Sequence, residues 1–320
     1  MPSRRETNVP GHEPDIPTIV DPHGVSTSLD PRPMGMSSDA SRAEAVVDTA
    51  GEPMVDFAGV TNPYIDYQYI DLLLSLQQPR STGYDEMCFI IMGQVKELLF
   101  KGLHFELHNA RALIDDDRLP EALSVLNRAI VYVDYLSDSW NVLSTISAEG
   151  FAQFRDHLST ASGQLSFMYR HLEFVLGNKS RILAAAHRNV PHVHPAIDEA
   201  LNTPSLYDAV INHLHRGGHA IDGDALQRDW AEPYRANPSV RAAWFDVYRD
   251  PSPLNLDYRL GETLITLDER FSTYRWRHFR TVEKIIGHKP GTGGSAGVGW
   301  LQHVTDHRFF PELWTVRNDL

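Results

Sequence analysis

An all-α fold is what the sequence predicts, and three observations lead to it. Apolar residues recur every three or four positions along three long segments, which is the period of one face of a helix. No segment alternates apolar and polar residues in the manner of a strand, and no βαβ rhythm or internal repeat is present. The 320 residues are enough to bury a substantial core. We therefore expect a bundle of long helices with a small helical insertion.

Composition and charge exclude several classes of protein. The chain carries 42 acidic and 29 basic residues, a formal net charge of −13. Nucleic acids and anionic membranes select clustered lysine and arginine, so neither is an expected partner. Cys88 is the single cysteine, which excludes an intrachain disulfide, a cysteine-rich zinc site and a CxxCH haem attachment. With no membrane-length apolar stretch and no signal-peptide core, we expect a cytoplasmic protein.

The amino-terminal segment differs in composition from the rest of the chain. Residues 1–55 contain no Phe, Tyr or Trp and hold eight of the 20 prolines. Such a segment buries too little apolar surface to offset the entropy of ordering, so we expect a disordered tail. Only Ser41 to Val47 has a helical pattern within it. The ordered domain is expected to comprise residues 56–320.

The first helices of the domain are predicted from their boundaries and apolar stripes. A short amphipathic helix begins at Tyr64, has Tyr67 near its start and ends before Pro79. A long central helix follows over residues 85–113. It contains two glycines, Gly93 and Gly102, each costing about 1 kcal/mol relative to alanine in a helix interior. Gly93 lies four residues after Phe89, so it either makes room for a ligand or lets a helix pack closely.

A third helix, from about Pro120 to Ile146, is followed by a break and by the aromatic segment that contains Phe151 and Arg155. An arginine held beside aromatic residues suits two-point binding of a carboxylate, and a surface salt bridge with Asp156 is the alternative. A small polar hinge that includes Ser162 comes next. The remaining predicted helices are Leu165 to Leu176, Leu206 to Leu214, Asp224 to Trp230, Ser239 to Tyr248 and Leu254 to Ile286.

The end of the last long helix carries the most informative features. His278 falls in the middle of an apolar stripe of six residues: Leu264, Leu267, Phe271, Tyr274, Val282 and Ile285. It is either a core histidine bonded to a backbone carbonyl or a ligand. The helix is expected to stop at Gly287, and the loop GTGGSAG, residues 291–297, is either mobile or a binding loop that uses Thr292. Together an imidazole and a polar glycine loop could share one pocket.

The other histidine pairs predict no metal site. His104 and His108 lie four residues apart on the central helix, a spacing at which two imidazoles can bind one metal. No third ligand stands at a helical offset from them, and the pairs at 192 and 194 and at 213 and 215 lack one too. We therefore interpret all six as ordinary surface or partly buried side chains.

Several motifs together resemble the tryptophan 2,3-dioxygenase family. They are DEMCFIIMGQVKELLFK, FAQFRDHLSTASG, FMYRHLEFVLGNKS, RWRHFRTVEKIIGHKPGTGGSAG and FFPELW, and the resemblance runs from about Tyr64 to the carboxyl terminus. It implies an all-helical homotetramer that binds non-covalent haem b, ferrous in the active state. It also implies that the protein opens the indole ring of L-tryptophan with dioxygen to give N-formylkynurenine.

The resemblance also implies roles for single residues. His278 matches the proximal iron ligand, Arg155 the partner of the substrate carboxylate, and Thr292 the residue that contacts the ammonium and carboxylate end. Phe89 matches the phenylalanine against the indole. Phe151 stands where many members have tyrosine, and Ser162 matches a residue at the cofactor. Tyr64 and Tyr67 match tyrosines that reach a neighbouring subunit's pocket.

Gly93 departs from the family pattern. Many members carry histidine there, facing the indole N–H, so this pocket loses a hydrogen-bonding side chain and gains volume. The alternative is therefore a monooxygenase that forms a 2-oxindole from tryptophan or β-methyltryptophan, as in a branch resembling the maremycin biosynthesis enzyme. A non-catalytic haem-binding sensor is the alternative of another class, although a sensor needs the iron ligand and not a substrate clamp.

Overall fold

The computed structural model describes residue 32, residues 34–55, residue 57 and residues 62–320, and over these ranges the chain forms helices, turns and loops without a strand. The all-α prediction is confirmed. The α-helices are α1 (Asp39–Asp48), α2 (Pro63–Gln68), α3 (Ile70–Leu73), α4 (Asp85–Asp115), α5 (Leu119–Leu143), α6 (Ala148–Arg155), α7 (Phe167–Val175), α8 (Arg181–Ala185), α9 (His194–Asn202), α10 (Leu206–Arg216), α11 (Gly223–Leu226), α12 (Pro238–Tyr248), α13 (Leu256–Ile286), α14 (Val298–Thr305) and α15 (Pro311–Thr315).

Three long helices form the centre of the fold. Helix α5 packs along α4 on one side and along α13 on the other. The sequence predicts all three, and their ends agree within a few residues with the expected ones. Their facing stripes supply fully buried side chains, among them Leu103, Leu107, Leu136, Leu264 and Phe271. Burial of these stripes supplies most of the apolar stabilisation, at roughly 25 cal/mol per Å².

The predicted single helix from Tyr64 to before Pro79 is wrong, because the structure splits it into α2 and α3 and ends α3 at Leu73. Tyr69, between them, has φ 53° and ψ 40°, a left-handed conformation that a bulky residue rarely adopts. Arg32 bridges the break: its guanidinium pairs with Asp66 at 3.0 Å and with Asp71 at 2.9 Å. Its backbone N–H also donates to the Tyr69 hydroxyl at 3.0 Å. These contacts hold the two short helices at an angle that a continuous helix excludes.

The predicted tail falls partly outside the described residues. Residues 1–31 and 33 lie outside them, and the expected disorder there stays a prediction; residues 56 and 58–61 of the expected ordered domain lie outside them as well. In the described part, α1 contains the segment Ser41 to Val47 that has the helical pattern. The Ser38 hydroxyl accepts a hydrogen bond from the backbone of Ser41, and the Ser41 side chain accepts from the Ser38 backbone, which is a capping box.

The small helical insertion consists of α8 and α9, which close over the end of α7. Its separate apolar cluster comprises Phe174, Ala184, Val193, Ile197, Leu201 and Ala231. The ammonium of Lys179 joins this unit together, since it donates to the backbone carbonyls of Ala200 and Thr203. The insertion thereby covers one end of the space between the long helices.

The carboxyl-terminal segment is held to α13 by one buried carboxylate. Asp268 is fully buried, and burial raises the pKa of its carboxyl. One of its oxygens accepts from the Phe309 backbone N–H at 3.1 Å and from the Trp314 indole N–H at 2.8 Å.

Over the described residues, no helix combines the length with the apolar character that a membrane span requires.

A second tie joins the far ends of the long helices. The His213 ring, on α10, lies 2.9 Å from an oxygen of Asp117 at the end of α4 and 2.9 Å from an oxygen of Asp257 at the start of α13. These hydrogen bonds raise the pKa of His213, and the one to Asp257 contributes most. His213 is a partly buried side chain, as interpreted from the sequence, and its two carboxylate partners lie far away along the chain.

His213→Gln tests this tie through its pH dependence. A raised folded-state pKa contributes stability that is fully present below the unfolded pKa of about 6.5 and is lost as pH rises through the folded value. The free energy of unfolding of the wild type should exceed that of the variant by more at about pH 5.5 than at about pH 8.5. The difference should stay below about 1 kcal/mol, since solvent screens the carboxylates. Urea titrations at both pH values measure it, and a difference that grows with pH contradicts the tie.

Candidate functional site

A cavity of about 580 Å³ lies between α4, α5, α6, α13 and the glycine loop. Its volume is within the range of about 300 to 1,000 Å³ of small-molecule and cofactor sites. Two exposed tyrosines that the resemblance assigns to the site, Tyr64 and Tyr67, do not line it. Seven of the residues predicted for the site do line it: Phe89, Gly93, Phe151, Arg155, Ser162, Thr292 and His278.

His278 faces the cavity from α13. The indole of Trp140, on α5, stacks on its imidazole with the ring centroids 4.4 Å apart and the planes 11° from parallel. No hydrogen bond to the His278 ring forms within the described residues, so it is not a core histidine tied to a backbone carbonyl. Burial, with a smaller contribution from the Lys96 charge, lowers its pKa to about 3. The imidazole is therefore neutral, the form that binds a metal.

An aromatic wall stands beside the cavity where α4 meets α6. The Phe89 ring lies 6.0 Å from Phe151 and 5.3 Å from Phe154, centroid to centroid, and the last two are 5.0 Å apart. The rings are tilted or edge to face, the arrangements that aromatic pairs prefer. Phe89 and Phe151 line the cavity while Phe154 is buried behind them. The wall therefore offers a flat aromatic ligand an apolar contact surface.

The two glycines of α4 have different roles. A Cβ built on Gly102 lies 2.6 Å from Cε1 of Tyr132, whereas a Cβ built on Gly93 meets nothing within 4 Å. Gly102 therefore permits close packing of α5 on α4. Gly93 leaves open space at the cavity, so the ligand-space alternative applies to Gly93 and the packing alternative to Gly102.

The glycine loop lies over the segment that follows α6. Arg155 donates to the backbone carbonyl of Pro290 at 2.6 Å, and the Thr292 hydroxyl donates to the carbonyl of Ala161 at 2.6 Å. A Cβ on Gly293 would lie 2.7 Å from Cβ of Ser162, so the loop needs glycine to come this close. Within the described residues Arg155 forms no ion pair with Asp156. Its guanidinium and the Thr292 hydroxyl are thus brought to one edge of the cavity.

The opposite end of the cavity is charged and buried. Glu173 accepts from Arg170 and, at 3.4 Å, from Arg275, and all three side chains are at most 5% exposed. Arg275 is buried although it is charged, because Glu173 gives its charge a buried partner. Lys96 and Lys179 also line the cavity. Sequence reasoning missed Trp140, Glu173 and Lys96, and only Lys96, a charge within an apolar stretch of α4, carries a signal that could have been noticed.

The comparisons with known proteins agree with this geometry. A sequence model of the family described as tryptophan 2,3-dioxygenase matches residues 48–320. The chain belongs to the tryptophan 2,3-dioxygenase family. Over 257 residues, 80% of the chain, it is 42% identical to "Tryptophan 2,3-dioxygenase 1" of Ralstonia nicotianae, covering 87% of that protein. It is 43% identical to the enzyme of Cupriavidus necator, covering 87%, and 42% identical to that of Burkholderia pseudomallei, covering 84%.

The residues present fit the haem that this family implies. His278 offers a neutral imidazole in a cavity that is large enough for a cofactor and mostly apolar. The basic side chains that line it are Lys96, Arg155, Arg170, Lys179 and Arg275, against the carboxylates Glu97 and Glu173. This local excess of positive charge suits a ligand that carries carboxylates, and it stands out in a chain of net charge −13.

Alanine substitutions at the two glycines of α4 test their different roles. Gly93→Ala should stabilise the protein by about 0.5 to 1 kcal/mol, because alanine favours the helix and meets no neighbour. Gly102→Ala, its matched control, should destabilise by about 1 to 3 kcal/mol through the clash with Tyr132. Urea denaturation of both variants measures these changes. Equal effects at both positions would show that Gly93 is a packing glycine as well.

Proposed function

We propose that this protein is a haem-dependent oxygenase that opens the indole ring of L-tryptophan. Both atoms of dioxygen are inserted across the C2–C3 bond, which breaks, and the product is N-formylkynurenine. One observation carries the proposal: a neutral imidazole, an aromatic wall and the Arg155 and Thr292 side chains line the same cavity. A sensor would need the imidazole alone.

The cofactor proposed for this cavity is haem b. His278 would hold its iron, with Trp140 fixing the plane of the imidazole by stacking, and Ser162, which also lines the cavity, would contact the cofactor. When bound and ferrous, haem supplies the iron centre at which dioxygen is activated. The protein's own task is to orient the substrate and to keep water out.

The substrate is held by its two ends. The guanidinium of Arg155 binds the substrate carboxylate in two-point geometry, which replaces its hydrogen bond to the Pro290 carbonyl. The Thr292 hydroxyl contacts the ammonium and carboxylate end, and Phe89 and Phe151 contact the indole. The site residues that can be assigned include no general acid or base, so they act by positioning.

The glycine loop limits the access of water. Its contacts with Arg155, Ala161 and Ser162 close it over the segment after α6. A closed loop removes solvent from the cavity and strengthens the electrostatic contacts inside it. The hydrogen bond from Arg155 to the loop also couples the substrate-binding arginine to closure.

We propose that the protein works as a homotetramer in the cytoplasm. Tyr64 and Tyr67 are 63% and 75% exposed, and Leu74 and Tyr84 nearby are 69% and 92% exposed. Exposed apolar residues clustered in this way are typical of surfaces that a second copy covers. The two tyrosines would then contribute to the pocket of a neighbouring subunit. The cytoplasmic location is supported by the single cysteine.

Mass spectrometry with labelled dioxygen tests the proposed reaction. Reduced, haem-loaded protein given L-tryptophan should yield N-formylkynurenine with two labelled oxygen atoms. His278→Ala should lose stoichiometric haem, seen by absorption, and with it the product. A ring-intact product with one labelled oxygen would identify a 2-oxindole-forming monooxygenase instead. No product from tryptophan or β-methyltryptophan, with haem bound, would contradict an oxygenase and favour a sensor.

The open space at Gly93 predicts a tolerance for substituted tryptophans. Gly93→His fills that space, so the ratio of kcat/KM for tryptophan over β-methyltryptophan should rise roughly tenfold or more, the usual value of one methyl group in a tight pocket. Steady-state kinetics with both substrates measure the ratio, and Gly93→Ala is the smaller control. If kinetics and products are unchanged, Gly93 has no part in substrate selection.

A further inference from the structure

Lys96 is a buried lysine at the wall of the cavity. It lies on α4 one turn after Gly93, and its side chain is 7% exposed. Burial alone lowers the pKa of its ammonium, to about 6, and no carboxylate forms an ion pair with it among the described residues. A buried charge without a partner is strongly unfavourable, so the side chain is largely uncharged at neutral pH until an anion beside it restores the charge. Such a residue is a candidate for binding an anion that is not part of the chain.

Trp140 is the contact that the Lys96 ammonium makes within the described residues. The nitrogen lies 3.0 Å from the centre of the indole ring, and the same indole stacks on His278. The attraction between an ammonium and an indole is smaller than the desolvation cost of burying the ammonium. Trp140 therefore positions the ammonium close to the iron ligand without neutralising it.

The other cations that line the cavity have acceptors. Arg170 and Arg275 share Glu173. Lys179 donates to two backbone carbonyls, and Arg155 donates to the Pro290 carbonyl. Lys96 differs from all of them in lacking an oxygen acceptor within the part of the chain that the structure describes. The carboxylate of the substrate is already assigned to Arg155, whereas the carboxylates of the cofactor have no assigned partner.

We propose that the Lys96 ammonium binds a propionate carboxylate of haem. The inference rests on the proposed function, because it takes haem to be the cofactor. Lys96 and His278 then hold the cofactor from α4 and α13, with Trp140 of α5 in contact with both side chains. Haem binding thereby gives the buried ammonium the anion that it lacks, so the cofactor links the three long helices.

The test compares two forms of the cofactor on two proteins. Apoprotein of the wild type and of Lys96→Met, which keeps the side-chain length and removes the charge, is titrated with ferric haem and with haem dimethyl ester, whose propionates carry no charge. With haem, Lys96→Met should bind about 10- to 100-fold more weakly, the usual loss for a hydrogen bond to a charged group. With the ester, the two proteins should bind equally, or the variant more tightly.

Two controls make the result interpretable. Lys101→Met removes an exposed lysine of the same helix and should leave both affinities unchanged. The melting temperature of the Lys96→Met apoprotein should equal or exceed that of the wild type, since a buried amine without a hydrogen-bond acceptor is removed. An apoprotein that melts lower would assign Lys96 a structural role and overturn the inference.

The remaining outcomes separate the inference from the proposed function. Equal weakening with haem and with the ester would mean that Lys96 only packs against the cofactor, which overturns the inference. A low-spin, amine-ligated absorption spectrum that disappears in Lys96→Met would mean that Lys96 binds the iron, which also overturns it. Unchanged haem affinity in Lys96→Met with weaker tryptophan binding would reassign Lys96 to the substrate. Failure of the wild type to bind haem would instead contradict the proposed function.

Discussion

The stacking of the Trp140 indole on the His278 imidazole is the contact on which the rest of the site depends. It joins α5 to α13 at the place where these helices and α4 separate enough to leave a cavity. Without that contact a ring on a buried helix face could turn toward solvent or toward a backbone carbonyl. Stacking leaves the ring nitrogens without a partner among the described residues, and burial keeps the imidazole neutral. One aromatic contact thus holds a potential metal ligand in its reactive form.

The charges around the cavity follow from the same constraint. Burial at the inner end of the cavity removes water from the side chains there, so each charge needs a partner. Glu173 meets this need for Arg170 and Arg275, and the carbonyls of Ala200 and Thr203 meet it for Lys179. The excess of positive charge that remains matches a ligand that brings carboxylates. In the proposed complex, stability and ligand binding are linked, since the ligand would supply anions that the lining of the cavity lacks.

The glycines show how one residue type has different functions in one protein. Gly102 is needed because the Tyr132 ring packs against its Cα, and Gly293 because the loop must approach Ser162. Neither reason applies to Gly93, and the open space beside it faces the cavity. The sequence alone left ligand space and helix packing open for the glycines of α4, because a glycine in a helix looks the same in both cases. Only the neighbours brought by folding distinguish them.

The sequence by itself determined the all-α class, the three long helices and seven of the residues that line the cavity. Helical periodicity and the glycine loop are local properties, and the motifs shared with the tryptophan 2,3-dioxygenase family lie within single segments. The tertiary structure alone decided which charges are paired. Each of these contacts joins residues that are distant in the sequence: Lys96 with Trp140, Glu173 with Arg275, and His213 with Asp117 and Asp257. Burial and ion pairing depend on which helix faces meet, and that follows from the packing of the whole chain rather than from any one segment.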